Sequence, residues 1–332
     1  MNLAGLRVRL SAVEFGPNGA IRGEVRVAGY QRVLHGLYRP ESPHLGSFEN
    51  FLRDLSALQL VLPDDAVFTH VTAARLLGWQ LPALPEKVPF FAAVRSRLRP
   101  RRPGLICSRL TNTSAVTFVR GLPVDDPPEI LLRAARDLGD VDLAIMLDSA
   151  VRLGHVAVDA MTAVLSSKRP GCRRLQRVWD ARDAGAESAG ETLLRWFHDA
   201  MRIPTKSQVE IHDPDGRFVC RADLQVVGTN FLHEYDGALH RTGNAQRNDL
   251  RRERRLAATP YIRRGFTLDE LLNHPAVIMH ELDRLLDRAH QDRRLRRWRA
   301  LIDDSFYSET GRARVMNRWY RSTTPVEWAR TA

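Results

Sequence analysis

Residues 221–240, Arg-Ala-Asp-Leu-Gln-Val-Val-Gly-Thr-Asn-Phe-Leu-His-Glu-Tyr-Asp-Gly-Ala-Leu-His, set three carboxylates into a stretch that otherwise reads as sheet. The pattern predicts a strand over 218–227, a Gly-Thr-Asn turn and a second strand over 230–236. Leu224, Val226, Val227, Phe231 and Leu232 make that sheet a buried one. Asp223, Glu234 and Asp236 then occupy places where an apolar strand prefers Val or Ile. Glu234 and Asp236 are two apart, so alternation turns both to one face. Pairing of the strands lets Asp223 converge on that face. Clustered carboxylates repel and are costly to bury without a cation between them. Oxygen ligands of this kind suit Mg²⁺, or Mn²⁺ in its place.

The segments around the cluster alternate helix and strand. A helix is expected over 187–201, with Glu191 and Arg195 one turn apart on a shared face. A strand follows over 207–212, then a turn at Asp213-Pro-Asp-Gly. After the acid strands come a basic helix over 246–258, a strand over 261–264 and one long helix over 274–299. In the first half, 20–27 alternates like a strand, and 31–39 reads as a strand with a turn at Gly36. Thr69 is placed to cap a helix that Gly78 stops. Further strands are expected at 88–94, 104–109 and 116–119, with helical spacing over 127–165. The fold class is therefore α/β, with an α+β first half. Four regions are expected: 1–60, a small α/β region; 61–183, α+β; 184–290, carrying the acid cluster; and 291–332, a basic helical tail.

Fifty Lys and Arg against 39 Asp and Glu leave a net charge of +11, which favours polyanionic partners, nucleic acid first. Only Lys87, Lys168 and Lys206 are lysines, and a GC-rich genome alone produces such an arginine bias. No run reaches the ~20 apolar residues of a membrane span, so no membrane partner is expected. Three scattered cysteines and the lack of an apolar leader block fit the cytoplasm. The basic residues of the 246–258 helix, Arg247, Arg251, Arg252 and Arg255, read either as a solvated face or as a phosphate-contacting surface beside the acids, with Arg195 a further contact. His233 is turned away from Glu234 and reads as packing.

These pieces in this order resemble the PD-(D/E)XK nuclease superfamily, in its branch similar to very-short-patch-repair endonucleases. The matching segments are Ala186-Glu-Ser-Ala-Gly-Glu191 with Arg195, Arg221-Ala-Asp223-Leu, and His233-Glu-Tyr-Asp-Gly-Ala-Leu-His240, followed by Asp249, Arg252 and Leu256. The resemblance covers 184–290 and implies a restriction-endonuclease-like α/β/α sandwich. It implies that Asp223 and Glu234 hold a divalent metal, with Glu191 binding or orienting metal-bound water. It also implies that His240 moves protons where Asp236 replaces the superfamily's usual lysine. The implied activity is Mg²⁺-dependent endonucleolytic hydrolysis in defence or repair, with DNA ahead of RNA as substrate. Pro260 departs from the family pattern before the last strand.

The first half resembles abortive-infection (AbiEi-like) antitoxin-type proteins, through Val33-Leu-His-Gly-Leu-Tyr-Arg39, Phe68-Thr-His-Val-Thr-Ala-Ala-Arg-Leu-Leu-Gly78 and Gly121-Leu-Pro-Val124. That resemblance implies a degenerate winged helix for 1–60 and the alternative function, a non-catalytic DNA-binding regulator of a toxin–antitoxin pair. A cognate toxin and a second copy of the chain are its implied partners.

Overall fold

Gly36, at φ 69°, turns a hairpin that the alternation over 31–39 predicts. The structure is a computed structural model describing residues 14–23, 28–96, 99–111, 116–237 and 252–323. The hairpin joins β3 to β4 in an antiparallel sheet ordered β1-β2-β4-β3, with β1 Glu14–Phe15, β2 Ile21–Arg22, β3 Tyr30–Leu34 and β4 Leu37–Pro40. Helix α1, Ser47–Leu58, buries Phe51, Leu55, Ala57 and Leu58. A second sheet, ordered β7-β6-β5-β9-β8, combines β5 Val67–Phe68, β6 Phe90–Val94, β7 Leu105–Arg109, β8 Thr117–Val119 and β9 Leu122–Val124.

Helix α2, His70–Leu76, lies where the spacing predicts it, but Thr69 does not cap it through its side chain. The Thr69 hydroxyl instead donates to Asp125 Oδ2 at 2.8 Å, which Arg133 Nε also binds at 2.9 Å. A fully desolvated carboxylate needs charged or hydroxyl donors more than a helix end needs one cap. Arg133 belongs to α3, Pro127–Ala134.

By compactness the chain divides into one unit within residues 1–78, 85–133 and 314–332 and another within 79–84 and 134–313. The division does not fall at residue 184. Helices α4 Asp140–Arg152, α5 Val158–Ser166 and α6 Cys172–Asp180 group with the acid-bearing half. Helix α7, Ala189–Ala200, follows, with Ser188 Oγ accepting the Glu191 N–H as its cap.

The second unit's sheet is ordered β10-β11-β12-β13: β10 Thr205–His212, β11 Phe218–Val226, β12 Phe231–Tyr235 and β13 Ile262–Phe266. The first two pairs are antiparallel and β12–β13 is parallel. Helical segments touch both sides of β12. His233 and Tyr235 meet α7, while Leu232 packs with Leu256 of the helical segment 252–256. The class is α/β, as expected.

Helix α8, Leu268–Asn273, starts with a full capping box between Thr267 and Glu270. The single long helix expected over 274–299 is two helices, α9 Pro275–Leu285 and α10 Asp292–Asp303. Buried Asp283 breaks it by accepting from Arg288 and Arg294 at 2.6 and 3.0 Å, with Asp287 at φ 45° making the turn. The basic tail expected past 290 is helical, as read, and partly buried among its described residues. Trp298 is 1 % exposed, stacks edge-on against Phe197 and donates to the Leu271 carbonyl. Helix α11 spans Glu309–Thr323. No helix among the described residues is long and apolar enough to cross a membrane.

Candidate functional site

The β11–β12 register ends in the pairs Gln225↔Leu232 and Leu224↔His233. The ladder stops at Leu224 and His233, so Asp223 and Glu234 lie just past its last pair. There the ladder gives way to a side chain, for Asp223 Oδ2 accepts the Tyr235 N–H at 2.9 Å. The sequence therefore ends a strand pair by putting a carboxylate in place of a backbone carbonyl, which fixes Asp223 beside β12.

Asp223 is raised to about 6, first by burial and then by the negative charges of Glu191 and Glu234. The Tyr235 N–H and Arg252 oppose that rise without cancelling it. Glu191 and Glu234 thus each act on Asp223 through their charge. Among the described residues, however, no group of three or more His, Cys, Asp and Glu side chains is arranged to hold a metal ion. Glu191 is drawn aside: its Oε2 accepts the Glu187 N–H at 2.8 Å and Gln208 Nε2 at 2.9 Å.

Glu234 is 5 % exposed. Its Oε2 accepts from Arg252 Nη2 at 2.5 Å and from Arg263 Nε at 2.6 Å. Its Oε1 is buried with no hydrogen-bond partner among the described residues. A buried carboxylate oxygen without a donor, near a second carboxylate whose ionised form is destabilised, leaves negative charge that a cation would relieve. Two carboxylates completed by water and phosphate oxygens suit Mg²⁺. Asp223 and Glu234 offer the oxygen chemistry that ion takes, while Glu234 Oε2 is occupied by the two arginines.

Asp236 shares the Glu234 side, as alternation requires, since Arg263 Nη2 reaches its Oδ1 at 3.4 Å. Gly265 stands opposite Glu234 in the β12–β13 register, and a side chain there would overlap the Asp236 carboxylate. Of the expected phosphate contacts, Arg255 is exposed and Arg252 is engaged with Glu234. Arg195 does not meet its expected role. It is turned inward onto buried Asp148 at 2.7 Å and the Ala181 carbonyl at 2.7 Å, because Asp148 would otherwise be an unpaired buried charge. His240, Arg247 and Arg251 lie outside the described residues.

The opposite side of β12 carries a buried histidine pair. His198 Nδ1 lies 2.8 Å from the Leu194 carbonyl and its Nε2 lies 2.7 Å from His233 Nδ1. The carbonyl accepts only, so His198 carries its proton on Nδ1 and His233 must donate from its own Nδ1. Burial lowers both, to about 4 for His198 and about 2 for His233, so both are neutral. His233 is packing, as its alternation implies.

Two residues beside the acids are not marked out by sequence pattern. Arg263 could have been suspected, because an arginine inside a strand near three acids is a charge complement. Gln208 gives no signal at all before its partner is seen. Comparison with protein families, with curated proteins and with solved structures gives no match.

Proposed function

We propose that the second unit is a divalent-metal-dependent phosphodiesterase domain acting on nucleic acid, DNA ahead of RNA, in defence or repair. The carrying observation is Glu234 Oε1, buried and without a hydrogen-bond partner among the described residues, with Asp223 bound to the backbone N–H of the next residue, Tyr235. Asp223 and Glu234 would hold the ion. When bound, Mg²⁺ would lower the pKa of a water and offset charge on the phosphoryl oxygens. The chain's own contribution is positional: the Tyr235 N–H fixes Asp223, the two arginines fix Glu234, and the exposed Arg254 and Arg255 offer phosphate contacts. Supercoiled plasmid with Mg²⁺ or Mn²⁺ tests it. Wild type should nick or linearise it and Asp223→Asn should not; equal cutting, or none by wild type, removes the proposal.

A second reading has its own observation. Glu234 already has two guanidinium partners, so its charge is balanced without metal. On that reading the unit is a binding module of a regulator, antitoxin-like, and the arginines close the old metal position. It requires site-specific DNA binding that is independent of divalent metal and unchanged in Asp223→Asn.

A further inference from the structure

We infer that Gln208 is a positioning residue of the acid site, held in a strained backbone conformation so that its amide locks the Glu191 carboxylate. This rests on the phosphodiesterase reading and names a residue that reading does not contain. Gln208 lies inside β10, where an extended backbone is the rule, yet its φ is +53°. That is left-handed backbone, which a residue with a Cβ adopts only when its surroundings enforce it. The β10–β11 register runs from Ser207↔Leu224 to Val209↔Ala222, which sets Gln208 opposite Asp223. The distortion therefore falls beside the candidate metal ligand, on the neighbouring strand.

The amide so placed binds Glu191 Oε2, the same oxygen that takes the Glu187 N–H. Two donors on one oxygen fix a side chain that would otherwise rotate freely at a helix start. They also leave Oε1 as the Glu191 oxygen for the site. Room for the distortion comes from Gly185, where a Cβ would stand 3.0 Å from Gln208 Cγ and 3.1 Å from Ser207 Cβ.

The strain and the function separate in three variants of the full chain. Gln208→Ala removes the amide and keeps the strain; Gln208→Gly removes both; Gln208→Glu keeps the length and removes the donor. Gln208→Gly should melt above Gln208→Ala, the reverse of the usual order in a strand. All three should bind Mn²⁺, followed by calorimetry, about tenfold or more weaker than wild type. Wild-type affinity in all three variants, with binding abolished in Asp223→Asn, overturns the inference and leaves the metal reading standing. If wild type binds no Mn²⁺, the metal reading falls. The melting order then decides this inference alone: Gln208→Gly below Gln208→Ala overturns it and the reverse supports it.

Discussion

Asp223 takes the Tyr235 backbone N–H onto its Oδ2 at 2.9 Å, so a side chain closes the β11–β12 pair where its ladder stops. The consequence is a carboxylate that cannot retreat to water without leaving a strand N–H unpaired. Burial and two neighbouring acids make its ionised form costly, while the hydrogen bond holds it in place. Such a group is destabilising by itself and is relieved by a cation. That tension, rather than the number of acids, is what distinguishes the site from a solvated acidic face.

Asp223→Asn should therefore stabilise the metal-free protein at neutral pH. The native carboxyl is pushed up to about 6, against about 3.9 for an unperturbed aspartate, so between those values the native state binds more protons than the unfolded chain. Stability contributed by this group is then lost as pH rises from about 4 to 6. The variant should gain about 1–3 kcal/mol at pH 7.5 and nothing at pH 3.5. Urea unfolding at both values checks it; a variant less stable at pH 7.5 would show that Asp223 is satisfied as it stands.

Removing Glu234 should do the opposite. Arg252 and Arg263 both lean on its Oε2 from partly buried positions. Glu234→Ala leaves two guanidinium groups facing each other and should cost about 3 kcal/mol or more. Glu234→Gln keeps an acceptor and should cost distinctly less. Thermal unfolding of the two variants side by side checks the order. Because Glu234→Ala unfolds more readily, Glu234→Gln is the variant on which loss of cleavage is informative.

Much of this arrangement was legible from residue order. Alternation alone put Glu234 and Asp236 together and His233 apart, and the Arg263 contacts with both acids agree with it. The hairpin at Gly36 and helix α2 were readable for the same reason: short-range pattern decides them. What failed was decided by distant partners. The break between α9 and α10 depends on Asp283 meeting Arg288 and Arg294, and Arg195 turns inward for Asp148, contacts that no local spacing announces. Gln208 could not be foreseen, because its φ is imposed by the fold around it.

The histidine pair predicts acid sensitivity. His198 and His233 are held neutral, titrating at about 4 and about 2 instead of 6.5. Below pH 6.5 the unfolded chain takes up protons that the native pair refuses, so stability falls with pH, by up to about 1.4 kcal/mol per unit for each histidine. In His198→Phe combined with His233→Leu both partners become apolar, which leaves no orphaned donor. The double variant should show a flatter loss of stability between pH 6.5 and 4.5 than wild type. Denaturation midpoints across that range measure the slope; an unchanged slope would mean that the pair already charges in the native state.

Gly190 sets how closely α7 approaches β12. A Cβ at this position would run into the Tyr235 ring, whose phenol is itself pushed up by burial. Gly190→Ala must displace the ring or lift the helix, and overpacking of this kind costs about 1–3 kcal/mol. Glu191 follows in sequence, so a lifted helix start also moves its carboxylate from Gln208 Nε2, now at 2.9 Å. Tyr235→Ala removes the obstacle at the expense of its own packing. If the clash is the cause, the double variant should be less destabilised than the sum of the two single ones by about 1 kcal/mol. A double-mutant cycle by urea unfolding measures that coupling; strict additivity would mean that Gly190 is required for its backbone alone and that Tyr235 does not fix the helix.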